Sequence, residues 1–147
     1  MNFAKVFMTL TLIGPIGWSI PVVEAQASTF ATNLFKLGLE KLQSKDYRGA
    51  IADFSQAIQA DPKLTDAYIQ RGIAQHELEE YQSAIADFSK VLEIDSRNAV
   101  ATYNRGEARF HLQDLSGAIA DFDRAIQINP SYARAYSDRG VAYGVYG

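Results

Sequence analysis

The five residues Ala50-Ile51-Ala52-Asp53-Phe54 return unchanged as Ala84-Ile85-Ala86-Asp87-Phe88 and as Ala118-Ile119-Ala120-Asp121-Phe122, at a constant step of 34 residues. The step governs more than this word. Glycines recur at Gly38, Gly72, Gly106 and Gly140, alanines at Ala67, Ala101 and Ala135, and prolines at Pro62 and Pro130 with Ser96 in the place between them. Self-similarity at such a period marks a repeat array, whose units stack because none can bury its apolar face alone. Each unit reads as two helices. Ala50, Phe54, Ala57 and Ile58 fall at i, i+4, i+7 and i+8, one helical face, and the alternation of a strand is absent. The stretches DPKLTDA (61–67) and NPSYARA (129–135) break the pattern at proline, and SKDYRGA (44–50) and LQDLSGA (112–118) are shorter turns. The pattern predicts helices over 31–44, 47–60, 65–78, 81–94, 99–112, 115–128 and 133–146.

Leu37-Gly38 followed by Ala50, Phe54 and Pro62 resembles the tetratricopeptide repeat. So do Tyr68, Arg71 and Gly72 with Ala84 and Phe88, and Tyr136 with Arg139 and Gly140. The resemblance covers residues 31–147 as units 31–64, 65–98, 99–132 and a partial 133–147. It departs at Arg71, Arg105 and Arg139, where the family usually has leucine, at Thr102 with Tyr103 shifted by one, and at Ser96. The resemblance implies an all-α solenoid, a right-handed superhelix of antiparallel helix pairs, with the first helix of each pair lining a concave groove that binds protein.

A helical glycine costs about 1 kcal/mol against alanine. Glycines held at one phase therefore point to close approach of a neighbouring helix, with Ala50, Ala84 and Ala118 as the expected facing residues and the phenylalanines filling the space between. The aspartates Asp53, Asp87 and Asp121 lie on the flank of the packing face, 18 residues before Arg71, Arg105 and Arg139. Only the first unit lacks the arginine, having Leu37, and only it has no preceding copy of the word. This predicts an inter-repeat ladder, Asp53–Arg71, Asp87–Arg105 and Asp121–Arg139, setting register more than stability. Identical, repeated aspartates are poor acid–base candidates, because that chemistry needs two different environments.

The N-terminus is of another kind. Lys5 is followed by no charged residue from Val6 to Val23, and then by Ala25-Gln26-Ala27. A basic start, an apolar run and small residues at that spacing make a secretory signal peptide, residues 1–27, with 28–30 as a linker. The alternative is an uncleaved anchor over 6–23, weakened by Gly14, Pro15 and Gly17. Either reading puts the array outside the cytoplasm, in a bacterial periplasm or equivalent lumen, and a membrane enters only through an uncleaved segment.

The 147 residues carry a net charge of -3 without blocks of one sign, so no nucleic-acid footprint is present. There are no cysteines, no phosphate loop, no GxGxxG and no G-x-S-x-G elbow, so no cofactor and no catalytic residue is expected. His76 and His111, the two histidines, could share a groove, but metal-ligand spacing is missing and no metal is expected. The family's layout implies a groove of Phe35, Leu39, Asp66, Ile69, Gln70, Ile73, His76, Glu77, Tyr103, Asn104, Glu107, Phe110, His111, Arg134, Ser137 and Asp138. Its mix of apolar, acidic and amide groups suits an extended peptide or a partner helix. One subclass of the family, which binds chaperone tails, clamps a terminal carboxylate with lysine, asparagine and arginine. Asn104 and Arg134 match it, but Ile69, Ile73 and Asp138 stand at its other places, so such a clamp is not expected.

The sequence thus reads as an exported, non-catalytic scaffold for protein–protein interaction. Two alternatives stand beside it. One is the N-terminal part of a larger secretion, assembly or enzyme-regulatory protein. The other is an array that self-associates through the helix of Val141, Ala142, Val145 and Tyr146, a poor polar cap.

Overall fold

The computed structural model describes residues 20–147, with side chains from Ala25 onward. The residues described are helical with no strand: α1 (Ile20–Gln43), α2 (Tyr47–Ala60), α3 (Thr65–Glu77), α4 (Tyr81–Ile94), α5 (Ala99–His111), α6 (Leu115–Ile128) and α7 (Ala133–Tyr146). The predicted helices after the first agree to within one residue at either end. Most of the predicted signal segment, and the anchor over 6–23 with it, lies outside the described residues. Its Ala25-Gln26-Ala27 is helical, and so are residues 28–30, where a linker was expected. Among the described residues no helix is long and apolar enough to cross a membrane.

The punctuation is periodic as well. Asp46 and Asp114 accept from the backbone N–H of Gly49 and Gly117, capping α2 and α6, and Asn98 caps α5 through Ala101. Lys45, Glu79 and Gln113 take positive φ of 61–62° at the turn between the two helices of each unit. Asp61, Asp95 and Asn129 each accept from the backbone N–H two residues on, closing the turn between units. Where proline stands in that turn, its carbonyl accepts from Tyr68 or Tyr136. In the unit with Ser96 the tyrosine is replaced by Thr102, which bonds back to Asn98 instead.

The core is the quoted word. Ala50, Phe54, Ala84, Phe88, Ala118 and Phe122 are all buried. A Cβ built on Gly38, Gly72 or Gly106 would come within 2.5–2.8 Å of the phenylalanine ring in the same unit. The helices do approach closely at these glycines, but what faces each is the ring rather than the expected alanine. Gly140, in α7, has nothing within 4 Å.

The ion pairs correct the predicted ladder. Arg71 donates to both carboxylate oxygens of Asp87, at 2.7 and 2.6 Å, and Arg105 does the same to Asp121, at 2.9 and 2.7 Å. Each arginine thus grips the aspartate of its own unit, 16 residues later, not the one 18 before. Two antiparallel helices joined by a short turn bring those positions opposite each other. The reach to the preceding unit exists, but through Nη1 of Arg71 and Arg105 to the hydroxyls of Ser55 and Ser89. Asp123 occupies that serine place in the next unit, and Arg139 donates to it at 2.6 Å. Asp53, whose unit has Leu37, is met by Lys41 Nζ at 2.6 Å.

Candidate functional site

The first helices of successive units, α1, α3, α5 and α7, approach one another in turn, whereas the second helices α2, α4 and α6 meet only first helices. The first helices therefore line the inner side of the curve. The expected groove residues all lie on these helices, but not all are open to solvent. Ile69 is 7% exposed and belongs to the core around Phe88, with Ile73 packed against it. Tyr103 is 3% exposed and Phe35 packs on Phe54. The column Phe35, Ile69, Tyr103 is thus packing surface: Phe35 and Tyr103 meet the phenylalanine rings of their units, and Ile69 shares a core cluster with Phe88. Ile69 and Tyr103 are corrected from groove to core. Gln70 and Asn104 are half-buried, and Asn104 turns its amide back to the carbonyl of Val100. Leu39 is half-buried, while Asp66, Arg134 and Ser137 are exposed.

Two clusters form along this face. In the first, His76 and His111 meet with ring centroids 5.1 Å apart, and Tyr81 stacks on His111 at 4.7 Å. His76 Nε2 is buried without a hydrogen-bond partner. Burial lowers the His76 pKa and the neighbouring His111 lowers it further, against the opposing pull of Glu77. One unit earlier the same contact is polar: Tyr47 donates to Glu77, which takes the place of His111. The tyrosines that open α2 and α4 therefore reach the groove's edge, which the sequence reading missed. The signal was present, since Tyr47 and Tyr81 keep the step of 34. Among the described residues no group of three or more histidine, cysteine or acidic residues is placed to hold a metal.

The second cluster lies between α5 and α7. The Tyr103 hydroxyl donates to Asp138 Oδ2 at 2.6 Å, and its ring stacks on Tyr132. Burial, and then the bond to Asp138, raises the tyrosine pKa. Glu107 stands beside this pair. Its pKa is raised, chiefly by burial and further by Asp138, while the Tyr103 hydroxyl, Arg134 and His111 pull the other way. A cavity of about 180 Å³ opens here, lined by Glu107, Phe110, His111, Phe122, Asp138 and Val141. Phe122 and Val141 were not expected at the groove.

Profiles of the tetratricopeptide repeat match residues 31–64 and 65–98, and a profile described as TPR repeat matches 106–144. The chain belongs to the tetratricopeptide repeat family. No curated protein sequence matches it. Among solved structures, the TPR domain of Arabidopsis OM64 is 25% identical over 80% of this chain and 98% of its own, with a TM-score of 0.79. The first TPR of Spaghetti (RPAP3), solved with the HSP90 peptide SRMEEVD, is 24% identical over 81% of this chain and 94% of its own, with a TM-score of 0.79. MamA is 26% identical over 86% and 74%, with a TM-score of 0.78. As a tetratricopeptide repeat protein, the chain has a fold whose general role is protein–protein interaction.

Proposed function

We propose that this protein is an exported, non-catalytic scaffold that holds a protein segment along the face of α3, α5 and α7. The observation that carries the reading is the alignment of first helices on the inner side of the curve, presenting His76, Asn104, Glu107 and Asp138 from successive units. The RPAP3 domain of the same fold holds its peptide in a solved complex. The ligand class differs here. Asp138 and Glu107 oppose a terminal carboxylate, and Ile69 and Ile73 supply no charge to hold one. Export follows from residues 1–27, and Edman sequencing of the secreted chain is expected to begin at Ser28; a cytoplasmic chain starting at Met1 refutes it. The groove itself is tested by crosslinking mass spectrometry in the native cells. Crosslinks to a partner are expected on α3 and α5, and lost with Gln70→Arg plus Asn104→Arg. Crosslinks unaffected by both substitutions would end the groove reading. The peptide SRMEEVD is expected not to bind at about 1 mM, the weak limit of measurable recognition.

A further inference from the structure

The cavity between α5 and α7 has walls of one character and a rim of another. Phe110, Phe122 and Val141 provide apolar surface, and Glu107 and Asp138 bring two carboxylates to the same space. Its 180 Å³ is about six times a water molecule's share of the liquid, room for one long side chain. The carboxylates are held there rather than swung into solvent. Tyr103, itself buried, fixes Asp138 through its hydroxyl, and Glu107 is half-buried. Neither is ion-paired from within, although His111, which lines the same cavity, and Arg134 act on Glu107 at longer range. Arg134 is exposed, and among the described residues no lysine, arginine or histidine nitrogen lies within 4.0 Å of either carboxylate.

We propose that this cavity receives the side chain of a lysine or arginine from the bound partner. The inference rests on the groove reading above and names what the groove selects. The aliphatic stem of such a residue lies along Phe110, Phe122 and Val141, and its cationic head meets Glu107 and Asp138. The aromatic rings add cation–π attraction. An acidic side chain is repelled. An apolar one of equal length fits the walls but leaves both carboxylates desolvated, and that asymmetry makes the cavity selective rather than merely sticky. An entering cation offsets the cost of burying charge on Glu107, a group that Tyr103, Asp138, Arg134 and His111 also face, so binding strengthens as pH rises through the titration of this carboxyl.

The test is selection of a random-peptide phage library on the full chain, followed by synthesis of the enriched peptide. We expect one fixed lysine or arginine in the selected sequences. Its replacement by norleucine weakens binding about tenfold or more, as does Glu107→Gln with Asp138→Asn, and combining the changes adds little. Val141→Trp, which fills the cavity from an exposed position and spares the charges, also abolishes the preference for a basic residue. Backbone-amide shifts separate the possible failures. Peptides that perturb α3 and α5 but lack a basic residue, or ignore both variants, overturn the cavity proposal and leave the groove. Peptides that perturb only other surfaces, or no selection at all, overturn both.

Discussion

Gly72 and Gly140 occupy equivalent places in their units and have opposite surroundings. A methyl group on Gly72 would meet the Phe88 ring at 2.8 Å, a rigid neighbour sealed in the core. One on Gly140 meets nothing within 4 Å. Gly72→Ala is therefore expected to destabilise by about 1–3 kcal/mol through overpacking, whereas Gly140→Ala stabilises by up to about 1 kcal/mol through helix propensity alone. Urea unfolding of both variants measures this, and equal signs would show that the ring contact does not govern the repeat. The glycine period was legible in the sequence. Which atom it accommodates was not, because periodicity gives positions along a helix and not the rotation of the helix facing it.

At the scale of the helix pair, the aspartate of each word is an anchor whose holders differ. Asp121 accepts from both Arg105 and Arg109, Asp87 accepts from Arg71, and Asp53 meets only the part-exposed Lys41. The basic residues Lys41 and Arg109 share one place in the repeat, and Gln75 occupies it between them, buried with its Oε1 unpartnered. Removing Asp87 leaves Arg71, and removing Asp121 leaves Arg105, about one fifth exposed and without a counter-charge. Alanine at either is expected to lower stability by about 2–4 kcal/mol, against about 1 kcal/mol or less at Asp53. Replacing Arg71 and Asp87 together by leucine recovers most of the loss, since an apolar pair needs no compensation. Denaturant titration of the single and double variants checks the order, and a double variant as unstable as Asp87→Ala refutes it. The error in the predicted ladder belongs to this scale. A step of 18 residues pairs all three aspartates with all three arginines and a step of 16 pairs only two, yet the antiparallel closure of α3 on α4 selects the step of 16. The decisive hint was Asp123, standing where the earlier units have serine.

Across the whole molecule, the concave face carries ionisable groups held away from their ordinary behaviour. Burial, and then His111, lower the pKa of His76 against the pull of Glu77, so it is lower folded than unfolded. Stability from this group is present above the unfolded value of about 6.5 and is lost as pH falls through the folded one. Glu107 is shifted upward, so its contribution is present below about 4.3, the ordinary glutamate value, and is lost as pH rises through the raised one. Melting temperature is therefore expected to fall on acidification below about pH 6.5, and His76→Phe to flatten that fall. Glu107→Gln is expected to raise the melting temperature at neutral pH and to have no effect in acid. Thermal melts from pH 4 to 8 test both, and a profile unchanged by His76→Phe would show that the imidazole pair does not couple to folding.

The sequence by itself determined the period, the helices and their breaks, the buried alanine and phenylalanine of each word, and the family. All of these are properties of residues near one another along the chain, repeated in phase. Tertiary structure decided what repetition leaves open. It turned Ile69 and Tyr103 into the core, joined Arg71 and Arg105 to the aspartates of their own units but Arg139 to Asp123 of the preceding one, and gathered Glu107, Asp138 and Phe122 from three helices around one cavity. The physical reason is that a helix's partners depend on its rotation and on how its neighbours close upon it. Those contacts join residues on different helices, and a pattern repeated along one helix does not specify them.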